Sequence, residues 1–440
     1  MSIAERIGQA MRTVLKEKAN ELAHQTKFVK RQRKLTGADF VQTLVFGWLA
    51  EPDSSMSSLN QSAATIGVRI TPQGLEQRFT PEAAEFLYQV LQEAVKEALS
   101  GVSVPIPLLE RFSGVYVQDS TTVVLPEVLA ELWTGCSGAA LKVQVRWELQ
   151  SGSLVHLDLR HGKEHDRSAP VQAEPIPAGA LRLTDLGYFN LDRLQTLAME
   201  GAYFLSRAWI QCLLEDSQGQ KWDLVTLLKK QKVDIVDLSI TLGATHHLPC
   251  RLLAVRVSPE VAAQRRRKLR ANAKRRCQNL SQRQLILADW TILVTNAPPE
   301  LLTAQEAIVL ARVRWQVELL FKLWKSHAKI DQWRTQKPWR ILCELYAKLL
   351  SALLLHWIWI ASCWYAPNRS MFQAAHTIQL HAMSIASAFA SGISQRLIDV
   401  LTTVQRCLTA GCRINKRKTR PHTFQLLLAC TQDLLNLPTS

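Results

Sequence analysis

Between residues 115 and 207 the apolar side chains fall into a run of short segments with a period of two, and that run limits the folds open to the chain. V-Y-V-Q-D-S-T-T-V-V-L, from Val115, reads as a strand, because successive strand side chains point to opposite faces and its apolar residues alternate up to Asp119. L-K-V-Q-V-R-W-E-L and S-L-V-H-L-D-L follow as two more strands, with Ser151-Gly152 between them as a hairpin turn. L-R-L-T-D-L-G-Y-F reads as a fourth strand, ending on Asp185 just before Gly187, and A-Y-F-L-S-R as a fifth. Parallel strands need a crossover, usually a helix, so this order commits the segment to an α/β sheet. Asp119 and Asp185 both stand where an apolar run gives way to small polar residues. One such aspartate is ordinarily a turn cap. Two at corresponding strand positions suit a shared site better.

The order β-β-β-α-β-α-β, with acids on the first and fourth strands, resembles the ribonuclease-H-like pattern, in which those two strands are neighbours. A third acid lies in A-R-V-R-W-Q-V-E-L-L-F-K-L-W-K, residues 311–325. On a helix, Arg314, Glu318, Lys322 and Lys325 fall within about 80° of one another, with Val313, Val317, Leu320, Phe321 and Trp324 opposite. An ordinary amphipathic helix with a Glu318–Lys322 ion pair fits that pattern; so does a metal ligand beside a polyanion. Brought together, Asp119, Asp185 and Glu318 would offer hard oxygen ligands to two Mg²⁺ ions, with Mn²⁺ able to substitute. Such a pair suits in-line displacement at phosphorus, one ion acidifying the nucleophile and the other stabilising the leaving oxygen. From Asp185 to Glu318 there are 133 residues, too many for one crossover. The gap is therefore expected to hold a β-rich insertion between about 211 and 296, with strands at W-D-L-V-T-L-L, V-D-I-V-D-L-S-I-T-L, C-R-L-L-A-V-R-V and W-T-I-L-V-T-N.

Charge names the kind of partner. Fifty-three Lys and Arg against 37 acids give a net +16, which implies a polyanion: nucleic acid or an acidic membrane surface. Eight cations crowd residues 265–276, either as a solvated charged segment or as an arm that tracks phosphates, and a second basic run at 413–420 precedes a short apolar helix ending near Leu437. Nine cysteines without a C-x-x-C pair indicate neither a zinc site nor a disulfide framework, so a reducing cytoplasm is expected. R-H-G-K-E-H-D, with His161 and His165, reads as the loop before a helix rather than a metal site. The opening residues lack the apolar core of a signal peptide. Residues 349–365 are apolar but hold His356 and fall short of the roughly 20 residues a bilayer needs, so they read as a buried core helix, with no membrane partner. Residues 1–101 read as helices. Within them S-L-N-Q-S-A-A-T-I-G-V-R-I-T-P-Q-G-L-E-Q-R-F, with a turn at Gly67, Thr71 as N-cap and Pro72 after it, matches a helix-turn-helix whose second helix runs through Phe79 and exposes Gln73, Gln77 and Arg78. An αα-hairpin of another kind shares those features.

These motifs resemble the DDE transposases of the insertion sequence 4 family, whose hallmark is Y-x2-R-x3-E-x6-K. Arg314, Glu318 and Lys325 have that spacing, and Ala311 stands at the tyrosine position. V-Q-D-S-T-T, T-D-L-G-Y-F and F-L-S-R, ending at Arg207, are similar to the family's strand motifs. The resemblance implies a ribonuclease-H-like mixed α/β sheet with a β-rich insertion, flanked by all-α regions. It implies a bacterial, nucleoid-associated enzyme that excises and integrates an insertion sequence by strand cleavage, hairpin formation and strand transfer, acting on double-stranded DNA at element ends and target as a homodimer. Arg207, Arg314, Lys322 and Lys325 would then hold DNA, and Trp290 would stack where a base is flipped out. The expected divisions are 1–105 for DNA binding, 106–210 and 301–365 for the catalytic core, 211–300 for the insertion, and 366–440 as a helical dimerisation candidate. A ribonuclease-H-like nuclease and an inactive, host-adopted DNA-binding protein are the alternatives, the second favoured only by Ala311.

Overall fold

The computed structural model describes residues 2–31, 35–97, 99–208, 212–275, 277–419 and 421–430. Its strands are β1 (Val115–Val124), β2 (Ala140–Glu148), β3 (Leu154–His161), β4 (Leu181–Thr184), β5 (Tyr203–Arg207), β6 (Leu214–Asp216), β7 (Lys221–Trp222), β8 (Ile235–Leu242), β9 (Leu248–Arg256) and β10 (Trp290–Thr295). They order as β3-β2-β1-β4-β5-β10-β9-β8-β6-β7. β1, β4 and β5 run parallel, while β2–β3 and everything beyond β5 pair antiparallel. The three-strand antiparallel-to-parallel start with the first and fourth strands adjacent is a ribonuclease-H-like mixed sheet. The insertion is less separate than expected: β10 lies between β5 and β9, so its strands extend the same sheet. One of its expected strands is a helix, Leu224–Lys230, capped by Asp223, whose carboxylate accepts from the Thr226 amide at 3.1 Å. Leu224, Val225, Leu227 and Leu228 are its buried residues, a helical spacing that β-propensity had masked.

The chain divides into two compact units. The first comprises Met1–Val104, Ser120–Glu164 and Val317–Asn415. At its centre is the helix Pro338–Cys363, 26 residues long rather than 17, buried on nearly all sides. It is long and apolar enough to cross a membrane by length and composition, yet its apolar window is wholly inside the unit. A helix apolar all round needs cover all round. Gly37–Ala50 and Pro81–Lys96 supply it from one end of the chain, Met371–Ala390 and Ser394–Ala410 from the other. Hence the division expected at 105 and 366 is not the one the fold makes: both helical ends share one core, and 416–440 falls in the second unit. Also in the first unit, Gly152 turns β2 into β3 with φ +76°, and a Cβ there would meet the Trp364 ring at 2.6 Å. Its carbonyl accepts from both Trp147 Nε1 (2.8 Å) and His356 Nε2 (2.7 Å).

The expected helix-turn-helix forms in part. Met56–Thr65 is followed by Gly67 at φ +83°, and Thr71 Oγ1 accepts from the Gly74 amide at 3.0 Å. The second helix, however, is Pro72–Glu76, five residues that stop short of Phe79. Thr80-Pro81 is a second cap-and-proline start, which ends the earlier turn and opens Pro81–Lys96.

The second unit comprises Pro105–Asp119, His165–Gln316 and Lys416–Ser440 and carries β4 to β10. The helix Thr423–Ala429 packs on Ala304–Val313 there. The expected end of that tail near Leu437, and Arg276 and Arg420 of the two basic runs, lie outside the described residues.

Candidate active site

β1 and β4 pair in parallel with Gln118 opposite Thr184, the last registered pair. Asp119 and Asp185 are the next residues after that pair, and a register continued by one residue would put them opposite each other at the general strand spacing of about 4.8 Å. Asp119 is four-fifths buried and paired to Arg314, whose Nη1 donates to Oδ2 at 2.8 Å. Asp185 caps the short 3₁₀ turn Leu186–Tyr188 by position, yet its side chain makes no cap bond. Its Oδ1 is buried without a hydrogen-bond partner. An unpaired buried carboxylate oxygen is costly, and a cation is the usual remedy.

Arg314 stands at a break. The helix expected to be continuous is two: Ala304–Val313, started by a Thr303–Glu306 capping box, and Trp315–Ser326. Neither glycine nor proline lies between 304 and 326, so nothing in the local sequence announces the break. Glu306 also pairs with Arg111 at 2.8 Å, which ties the first helix to the segment leading into β1. Ala311, on that helix, is half-buried. Trp315 is 57 % exposed, its ring 5.9 Å from the Arg314 guanidinium; it was not among the expected site residues, although at about 100° per residue it falls beside the charged face of the helix.

Glu318 lies in the first turn of Trp315–Ser326 and is half-buried, with Val317, Leu320, Phe321, Leu323 and Trp324 as the buried residues. The amphipathic expectation holds, with Leu323 added. Within the first unit, Lys325 Nζ donates to the Thr122 carbonyl of β1 at 2.8 Å, and Lys322 is exposed.

The remaining expected residues sort by burial. Arg207 is exposed at the end of β5. Trp290, at the start of β10, is 5 % exposed, part of a core cluster with Leu252 and Leu287, and covered by the Arg256 guanidinium 4.3 Å from its ring. Gln73 and Gln77 are exposed and Arg78 half-buried. Asn60, Arg69 and Thr71 line a cleft of 660 Å³ beside the Gly67 turn. His161 ends β3, where its Nδ1 accepts from the Thr134 amide at 3.2 Å.

Two carboxylates, Asp119 within β1 and Asp185 just past the end of β4, the second with a partnerless oxygen, fit a hard divalent cation as two of its ligands. Among the described residues no group of three or more His, Cys, Asp or Glu side chains is drawn together to hold a metal.

A protein-family profile described as the transposase DDE domain matches residues 110–354. The transposase for insertion sequence element IS231F of Bacillus thuringiensis subsp. israelensis is 26% identical over 375 residues, spanning 79% of this chain and 78% of its own. The transposase for insertion sequence element IS1151 of Clostridium perfringens is 27% identical over 363 residues, 76% of each chain. A piggyBac transposase solved in a synaptic complex with hairpin DNA aligns over 90% of this chain and 84% of its own, at 10% identity and a TM-score of 0.47.

Proposed function

The chain belongs to the transposase DDE-domain family, and from that premise we propose that it excises and integrates an insertion sequence by phosphoryl transfer, with Asp119, Asp185 and Glu318 as its acids. The observation that supports this reading is the β1–β4 register, whose last pair immediately precedes Asp119 and Asp185, together with one carboxylate oxygen of Asp185 left without a partner. Two Mg²⁺ ions, when bound to these acids, supply charge neutralisation at the reacting phosphate and acidify the nucleophile.

The chain's own groups do the positioning. Arg314 is a planar five-donor fork already beside Asp119, so a rotation of its side chain offers it to a phosphate as a bidentate clamp. Lys325 fastens the Glu318 helix to β1, and Lys322 reaches solvent as a point charge for DNA. Ala311 supplies no hydroxyl at the tyrosine position, which leaves Arg314 to hold the backbone near the cleaved phosphate. For a flipped base during hairpin formation, Trp290 would have to leave its core packing first, whereas Trp315 already presents its ring. Double-stranded DNA is the substrate, Gln73, Gln77, Arg78 and Arg207 are further contacts, and the protein acts on paired ends as a homodimer. A sedimentation run that finds the cleaving complex to hold a single subunit on a single DNA end throughout would end the dimer claim.

Asp119→Asn, Asp185→Asn and Glu318→Gln are each expected to abolish Mg²⁺-dependent cleavage of element-end DNA while duplex binding persists. Cleavage that survives any one of these changes removes that residue from the site. Arg314→Ala is expected to slow cleavage by about 10²–10³-fold, as losing one preorganised charge at a reacting phosphate does.

A further inference from the structure

The helix Pro259–Arg275 is 17 residues long and has one fully buried residue, Ala262. Two of its cations are used inside the second unit. Arg265 donates to the Trp290 carbonyl (Nη1, 2.9 Å) and to Thr291 Oγ1 (Nη2, 2.9 Å), and Arg266 pairs with Asp289 and reaches the Leu285 carbonyl at 3.3 Å. These bonds fasten the helix to the start of β10. They also fix which way the rest of it faces. Arg267, Lys268, Arg270, Lys274 and Arg275 are all exposed, and at about 100° per residue they span an arc of about 160° centred opposite Ala262 and Leu269.

Nothing on this segment offsets those charges. No acid occurs between Glu260 and Asp289, and Asp289 is occupied by Arg266. Arg270–Lys274 is a like-charge pair at i,i+4, which works against the helix until an outside anion neutralises it. Arg275 donates to a neutral side chain, Asn272 Oδ1, at 3.2 Å. Arg207, at the exposed end of β5, is near enough for its charge to act on Arg265, so the positive field continues onto the sheet.

We infer that this outward face is a cleat for the backbone of duplex DNA, separate from the acids, that holds DNA without reading its bases. From Arg267 to Arg275 the helix rises about 12 Å, a distance over which one DNA strand presents about three to four phosphates. The pinning arginines make the cleat and the β10 strand move as one body. The inference rests on the transposase reading for the choice of DNA over other polyanions.

The test uses the full-length protein and a random-sequence duplex as probe, with the dissociation constant measured between about 50 and 200 mM KCl. Replacing Arg267, Lys268, Arg270, Lys274 and Arg275 with Gln is expected to make the slope of log affinity against log salt shallower by about three. Arg267→Lys, Arg270→Lys and Arg275→Lys together keep the charge and are expected to keep the slope. Should the fivefold variant misfold, Arg267→Gln with Lys274→Gln is expected to reduce the slope by about one to two. A folded variant whose slope is unchanged overturns the cleat. So does a variant that keeps duplex binding but loses binding to phosphatidylserine vesicles. If the slope falls as expected while Asp119→Asn still cleaves, the catalytic assignment fails and the cleat stands.

Discussion

At the scale of single residues, burial separates side chains that composition makes look alike. Trp290 and Trp315 are both tryptophans beside a cation, but one is a core anchor and the other a solvent-facing plate. Trp290→Ala is expected to cost about 3–5 kcal/mol of stability, seen as a lowered melting temperature before any change in chemistry. Trp315→Ala should leave melting in place and impair hairpin formation, with an abasic site at the flipped position restoring part of it; no effect on hairpin yield would exclude the stacking role. His356 makes a different kind of prediction. Enclosed by Trp147, Trp359 and the Gly152 carbonyl, with Nδ1 unpartnered, its pKa is pushed down to about 4 by burial. The folded chain therefore resists a proton that the unfolded chain accepts from about pH 6.5 downward. Stability is unaffected above that pH, is lost as pH falls through the interval, and levels off below about 4, for a total of about 3 kcal/mol. His356→Leu should flatten that part of the acid limb in denaturation curves taken from pH 7 to 4.

Whole elements are held by contacts that join distant stretches of chain. The segment after the Glu318 helix is gripped by Lys348, which donates to the Lys329 and Gln332 carbonyls (3.2 and 2.8 Å) and pairs with Glu344 at 2.7 Å. Lys329 in turn pairs with Asp53, and Glu76 of the five-residue helix accepts from Lys337 (2.8 Å) and Arg340 (2.7 Å). Lys348 and Glu344 are almost fully buried, so removing one partner strands a charge. Glu344→Gln is expected to cost about 3–5 kcal/mol, whereas Glu344→Leu with Lys348→Met should recover most of it. Equal losses in the single and double variants would mean that packing, not charge pairing, sets the cost. None of this grip was readable in advance. Sequence spacing marks a lysine on a helix; whether its ammonium meets water or two carbonyls depends on which loop passes over it.

For the whole molecule, the shared core of the first unit has a consequence for dissection. Cutting at 365 takes Met371–Ala390 and Ser394–Ala410 away from Pro338–Cys363, and isolating 1–105 takes that helix away from Gly37–Ala50 and Pro81–Lys96, which pack on it. Both fragments are therefore expected to aggregate or remain unfolded when expressed. A monomeric, cooperatively melting fragment 1–365 in light scattering and calorimetry would contradict this. The strands of the sheet core and the oily side of the Glu318 helix were legible beforehand, because each depends on a local period of two or 3.6 residues. The domain limits were not, since composition along the chain does not say which helices cover one another.

What the amino-acid order determined alone is the local grammar: five strands in an α/β sequence, acids in the first and fourth strand segments, an apolar helix too greasy for the surface, and a stretch of eight cations among twelve residues. Tertiary structure decided the rest: that β10 enters beside β5, that Arg314 pairs with Asp119, and that two arginines of the cationic run turn inward while the others face out. The physical reason is that backbone periodicity acts between near neighbours, whereas pairing and burial depend on groups that only folding makes adjacent.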